Sequence, residues 1–195
     1  MLNDRTTTLS LLETRRSGRP REMTGPGPTS EQLDRILTIA TRIPDHGKLS
    51  PWRFVIVGDD QRLALAVLLH RALAEEDPGA TPAHHAKADE FAQQGAALIV
   101  LLSAPVPEHK IPEWEQILSA GAAGMQLLNA AHALGFVGGW ITGWQAYSPR
   151  VNAAFCAEGE RIAGFIFIGH SGAELVERPR PPLDRVVRPW VPPKD

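Results

Sequence analysis

The chain has 195 residues, of which 43% are hydrophobic, enough for a sizeable core. Lys and Arg number 20 against 22 Asp and Glu, a formal net charge of −2, which argues against general binding to nucleic acid or a membrane surface. A single cysteine, Cys156, excludes an intramolecular disulfide and a cysteine-rich zinc site.

The opening MLNDRTTTLSLLETRR lacks the apolar run of a signal peptide. The longest apolar run, AALIVLL at 96–102, is too short to span a bilayer. A soluble, cytoplasmic protein is expected. Residues 8–16 predict a short helix with Leu9 and Leu12 on one face and Leu11 beside them; SGRP then breaks it. Thr29 and Gln32 have the spacing of a capping box, and Leu33, Ile36, Leu37 and Ala40 repeat at helical spacing. That helix should end near Ile43, because Pro44 disfavours helical geometry before it. PDHGKLSP is a loop and WRFVIVG, 52–58, a strand. Helices are expected over 60–76 and 82–95, and a buried strand over 96–104.

From Glu113 to Leu134 the chain has no proline and reads as one long helix. Gly121 and Gly124 inside it weaken a helix by roughly 1 kcal/mol each relative to alanine, so something must come close to them. Tight packing within the chain and a subunit interface are both open readings. FVGGWITGW, 136–144, is a glycine-rich turn and strand; SPRVNAAF starts a short helix; IAGFIFIG, 162–169, is another buried strand. Residues 176–195 form an extended, proline-rich tail on what reads as a single domain of 1–195. The mixture of helices and strands around one long helix is α+β.

TRRSGRP, 14–20, gathers Arg15, Arg16 and Arg19 around Ser17 and Gly18. It is either an anion receptor or a solvated helix end whose arginines offset the helix dipole. The adjacent His84 and His85 do not face one metal ion from a helix, and no metal site is expected. No G-x-S-x-G frames a nucleophile, and Cys156 reads as core. GFVGGWITG lacks the G-x-G-x-x-G spacing of a dinucleotide-binding turn.

Taken in order, these stretches resemble a known family. An opening helix leads into RRSxR, the next helix ends in R-x-P-D-H followed by P-W-x-F-x-V, and PEWEQ at 112–116 opens the long helix. That helix runs into GFxGxW, and a later strand ends at IGH. The pattern is similar to the FMN-dependent nitroreductases, in particular their branch of small bacterial NAD(P)H nitroreductases, over residues 9 to 170.

The resemblance implies a mixed α/β sandwich with a central, mostly antiparallel sheet and a long central helix. It implies a homodimer with two FMN molecules shared between subunits. Arg15, Arg16 and Ser17 would hold FMN, chiefly its phosphate. Arg42 and His46 would reach the flavin of the partner subunit. Trp140, Ile141 and Thr142 would lie along the isoalloxazine and ribityl side, with Gly138 and Gly139 letting the backbone approach. NAD(P)H would be the electron donor and a nitroaromatic, quinone or similar small molecule the acceptor, in ping-pong turnover. Flavin N5 carries the chemistry, so no side chain is assigned as catalytic.

Relatives often carry arginine where this chain has Ile141. Arg180 in the tail, with Arg178 behind it, is the candidate to supply the missing cation; a solvated basic tail is the alternative. A non-catalytic flavin-binding or flavin-sequestering protein of the same fold is the alternative function.

Overall fold

A computed structural model describes residues 1–193. The helices are α1 (Thr8–Thr14), α2 (Ser30–Ala40), α3 (Arg62–Glu76), α4 (Pro82–Gln93), α5 (Glu113–Ala133) and α6 (Pro149–Phe155). The strands are β1 (Met23–Thr24), β2 (Trp52–Val57), β3 (Ala97–Ser103), β4 (Val137–Ile141) and β5 (Arg161–Ser171). All strand pairs are antiparallel. β5 is central: it pairs with β3, which pairs in turn with β2, while β4 and the short β1 also lie along β5. This is the mixed α+β architecture with a central antiparallel sheet that the family resemblance implied.

Helices cover both faces of the sheet, which is why its inner strands read as unbroken apolar runs. Successive side chains of a strand point to opposite faces. Leu98, Val100 and Leu102 of β3, with Phe165 and Phe167 of β5, pack with α3, α4 and α6. Ile99, Leu101, Ile166 and Ile168 pack on the other side with α2 and α5. Phe91 of α4 meets the Phe165 and Phe167 rings edge-on. Arg62, buried at the start of α3, donates from Nη1 to the Ala92 and Gln94 carbonyls and so closes the C-terminal end of α4.

The capping box at Thr29 forms in both directions, with Gln32 N–H donating to the Thr29 hydroxyl and Thr29 N–H to the Gln32 side chain. α2 stops at Ala40, three residues short of Ile43, with Thr41 as its cap. α1 ends at Thr14, because Arg15, with φ −59° and ψ 125°, has already left helical geometry. Of its leucines only Leu11 is buried; Leu9 and Leu12 stand 65% and 56% exposed.

α5 spans 21 residues, about 31 Å at the helical rise, and is the ruler of the molecule. Its two glycines behave differently. A β-carbon on Gly124 would stand 2.5 Å from Trp140 Cζ3 and 2.7 Å from Leu101 Cδ2, so packing within the chain requires glycine there. Gly121 has open space around it. It lies between Trp114, Ile117 and Leu118 on one side and Met125 on the other, a ridge of exposed apolar side chains at helical spacing.

Candidate functional site

The TRRSGRP stretch is fixed by contacts to distant parts of the chain. Arg16 N–H donates to Asn3 Oδ1 and Asn3 Nδ2 donates to Arg16 O, tying it to the N-terminal segment. From α5, His132 brings Nε2 to 3.1 Å from the Arg16 carbonyl. Gly18 packs against Val137 of β4 and lies where a β-carbon on Gly139 would meet its carbonyl. The cations therefore stand beside the first half of β4.

The tail folds back onto the same place. Arg16 Nε donates to the Val176 carbonyl at 2.8 Å. Arg15 Nη1 donates to Ser17 Oγ at 3.2 Å. Burial lowers the pKa of the half-buried Arg15 from its ordinary value, and the charges of Arg180 and Arg16 lower it further. Arg180 pairs with Glu177 at 3.3 Å, and Glu177 also accepts the Arg178 N–H. Among the described residues Arg15 makes no ion pair. Three guanidinium groups and the Ser17 hydroxyl are thus gathered at one place, where Glu177 offsets Arg180 and Arg16 in part and Arg15 has no ion-pair partner among the described residues.

His132 is fully buried where α5, β4 and this stretch meet. With the ring proton assigned to Nδ1 by the shorter contact, it donates to Leu128 O at 2.7 Å, and Nε2 faces the Gly138 N–H at 3.5 Å. Burial is the main cause that lowers its pKa, with the nearby Arg15 charge adding to it against two backbone hydrogen bonds. It stays neutral; in this tautomer the bare Nε2 can accept only from Gly138 and merely abuts the Arg16 carbonyl, so the ring packs between the cation cluster and the strand. The sequence reading missed it: a histidine in a small-residue helix carries no local sign of what it will touch.

Arg42 and His46 lie elsewhere. Both are exposed on the segment after α2. That segment is held to the N-terminal half of α5 by Ser119 Oγ donating to Pro44 O at 2.6 Å and by His46 Nδ1 at 2.7 Å from Glu115 Oε2. From Ser119 to His132, α5 covers about 20 Å. Within one chain, Arg42 and His46 are thus remote from the Arg15 cluster.

Along β4, Trp140 turns inward: Nε1 donates to Ala163 O at 3.1 Å and the ring fills the space left by Gly124 and Gly164. Ile141 packs against the α3 and α4 side, and Thr142 follows, half-buried. Trp140, Ile141 and Thr142 are all half-buried, each keeping part of its surface open. Gly138 and Gly139 are small for reasons internal to the chain, since β-carbons there would meet Leu128 Cδ2 and the Gly18 carbonyl. Beyond β4 lies a cleft of about 500 Å³ with Leu73 on its floor and Lys87, Trp144 and Tyr147 on its walls.

Among the described residues, no group of three or more His, Cys, Asp or Glu is arranged to hold a metal ion. His84 accepts the Thr81 N–H, while His85 meets His70, which pairs with Asp89. Cys156 caps α6, half-buried; burial and then the Glu160 charge raise its thiol pKa, which keeps it protonated and unreactive. No helix of the described residues is long and apolar enough to cross a membrane.

Comparison with known proteins points one way. The profile described as "Nitroreductase family" matches residues 12–170. The Haemophilus influenzae protein named "Putative NAD(P)H nitroreductase" is 38% identical over 172 residues, 87% of this chain and 91% of that one. "Putative NAD(P)H nitroreductase YdjA" of Escherichia coli K12 is 40% identical over 166 residues, 83% of this chain and 86% of its own. Among solved structures, a nitroreductase-like protein of Bacillus cereus superposes with a TM-score of 0.79 at 21% identity, covering 97% of this chain and 99% of that one. The "putative nitroreductase in complex with FMN" of Exiguobacterium sibiricum gives 0.70 at 17% identity, covering 94% and 97%. At these identities the structures speak for the fold alone.

Proposed function

The chain belongs to the nitroreductase family, an oxidoreductase family, and from that premise we propose that it is an FMN-dependent NAD(P)H oxidoreductase reducing nitroaromatics, quinones or similar acceptors. The observation that carries the cofactor is the cluster of Arg15, Arg16, Ser17 and Arg180, in which the half-buried Arg15 has no ion pair among the described residues. Guanidinium forks match phosphate geometry, and the flavin phosphate is the anion this reading assigns to them.

Arg42 and His46 serve the flavin of a second copy. Their distance along α5 from the Arg15 cluster supports this, because one ligand in one chain would not reach both. The exposed ridge from Trp114 to Met125, with Gly121 in its middle, offers the surface on which the two copies would meet. Glu115 holds the His46 ring at the N-terminal half of α5.

When bound, FMN supplies the redox chemistry, taking a hydride from NAD(P)H and passing electrons to the acceptor. The protein's part is to bind and orient. The arginines hold the phosphate end, and His132 packs against the backbone that presents them. The turn at Thr142 and Gly143 aligns the ring end, and the aromatic walls of the neighbouring cleft receive the flat substrates in turn. One shared place for donor and acceptor makes the kinetics ping-pong.

The test is direct. The purified protein should be yellow, with an oxidised-flavin spectrum, and should oxidise NADH or NADPH in the presence of a nitroaromatic or quinone with parallel initial-rate plots. A colourless protein that takes up no added FMN overturns the reading. A flavin-loaded protein without turnover leaves a flavin-binding role in its place.

A further inference from the structure

Gln145 sits in the 3₁₀ turn Trp144–Ala146, immediately after the glycine that ends the β4 segment. It is only 6% exposed. Its Oε1 is buried and has no hydrogen-bond partner among the described residues. Buried polar atoms are nearly always paired, so an orphan of this kind calls for an explanation.

The place of the amide supplies one. A β-carbon on Gly143 would collide with Gln145 Oε1 and come within 3.5 Å of its Cδ. Gly143 has φ +63° and ψ −176°, a backbone region open to glycine alone. Conformation and close approach both require glycine here. The carboxamide therefore lies against the bare turn at the far end of β4. At the near end, Gly139 abuts Gly18, next to the arginine cluster. From Gly139 to Gly143 an extended chain covers about 13 Å. A ligand anchored by a phosphate at the cluster and running along β4 brings its other end to this turn.

Resting on the flavin reading above, we propose that Gln145 is a cofactor-contact residue whose carboxamide pairs with the pyrimidine edge of the flavin head. A carboxamide offers one carbonyl acceptor and an NH₂ donor. The imide edge of a flavin offers the complement: an N–H donor at N3 flanked by carbonyl acceptors. A phosphate or an apolar ring would satisfy only part of the amide or none of it. The residue thus reads the heterocycle, while the arginines read the phosphate.

The experiment titrates apo-protein with FMN, riboflavin and N3-methylriboflavin, followed by quenching of flavin fluorescence. Gln145→Met keeps the volume and removes the amide; Gln145→Glu keeps the shape and removes the donor. Both should weaken FMN and riboflavin by the same factor, about tenfold for Gln145→Met. Wild-type protein should discriminate against N3-methylriboflavin, and Gln145→Met should not. A poorly folding variant lowers the binding fraction but not the ratio of the two riboflavin affinities, so the ratio decides. If wild-type protein binds flavin while Gln145→Met binds it equally well, or pays the same factor for N3-methylation, this inference fails and the flavin reading stands. If wild-type protein binds no flavin, both fail.

Discussion

Replacing Arg15 by alanine should affect the empty and the loaded protein in opposite directions. In the empty protein Arg15 is half-buried, and burial, then the charges of Arg180 and Arg16, disfavour its charged form. Removing it relieves repulsion, so the denaturant midpoint of the apo-protein should hold or rise. In the loaded protein Arg15 would donate charge-assisted hydrogen bonds to phosphate, worth about 1.5–3 kcal/mol net. FMN affinity should then fall by roughly ten- to a hundredfold. Riboflavin lacks the phosphate and should bind as before. Arg180→Ala should act with the same sign and less force, since its side chain is 54% exposed and shared with Glu177. Raising the salt concentration should weaken FMN more in wild type than in either variant. Titration of apo-protein with both flavins, beside urea unfolding without flavin, measures all of this. If Arg15→Ala binds FMN as tightly as wild type, TRRSGRP is a solvated helix end. If FMN and riboflavin weaken together, the arginine supports the fold and not the phosphate. If Arg180→Ala alone is silent, the tail is a solvated arm and the N-terminal receptor remains.

Gly124→Ala should lower the urea midpoint: overpacking against Trp140 and Leu101 costs about 1–3 kcal/mol, against a helix gain of about 1 kcal/mol. Gly121→Ala meets nothing within 4 Å among the described residues and should not carry that cost; equal losses would refute the distinction. His132 has its pKa lowered in the folded state, so the unfolded chain binds a proton that the folded one refuses, and stability should fall as pH drops below about 6.5, by up to about 1.4 kcal/mol per pH unit. Denaturation of His132→Asn at pH 7.5 and 5.5 should show a flatter dependence than wild type, and an unchanged slope would exclude His132 as its source. Leu118→Lys places a charge on the exposed ridge of α5 and should yield monomers that bind FMN weakly; sedimentation showing monomers with full flavin affinity would rule out a shared site.

Most of the sheet was legible because burial on both faces leaves a run of apolar residues that nothing else produces. AALIVLLSA and IAGFIFIG were read as buried strands, and they are β3 and β5. α2 was legible from both its period and its cap. α1 was less so. In two turns of helix, three leucines within four positions fit several faces, and the structure buries Leu11 alone. The glycines were the hardest to read. A small residue says that something is near and not what it is. Trp140 claims Gly124 and Gly164, the Gly18 carbonyl claims Gly139, Leu128 claims Gly138, and nothing among the described residues claims Gly121.

The candidate site shows the same limit at larger scale. RRS, PDH and GGWIT follow one another in order, which suggests one pocket. Space divides them: RRS and GGWIT meet through His132 and Gly18, while PDH is fastened to Glu115 and Ser119 at the other end of α5. A helix of this length is stiff, so the two ends cannot fold together around one flavin. A two-fold pairing of α5 with its twin, antiparallel about the open Gly121, would bring the PDH end of one copy toward the RRS end of the other. Each of the two halves would then supply what the other lacks, cations for the phosphate on one side and His46 with Arg42 on the other. No periodicity within one chain encodes that relation. What the chain does carry are two features such a pairing would account for: a half-buried arginine with no ion-pair partner among the described residues, and an exposed apolar ridge on α5.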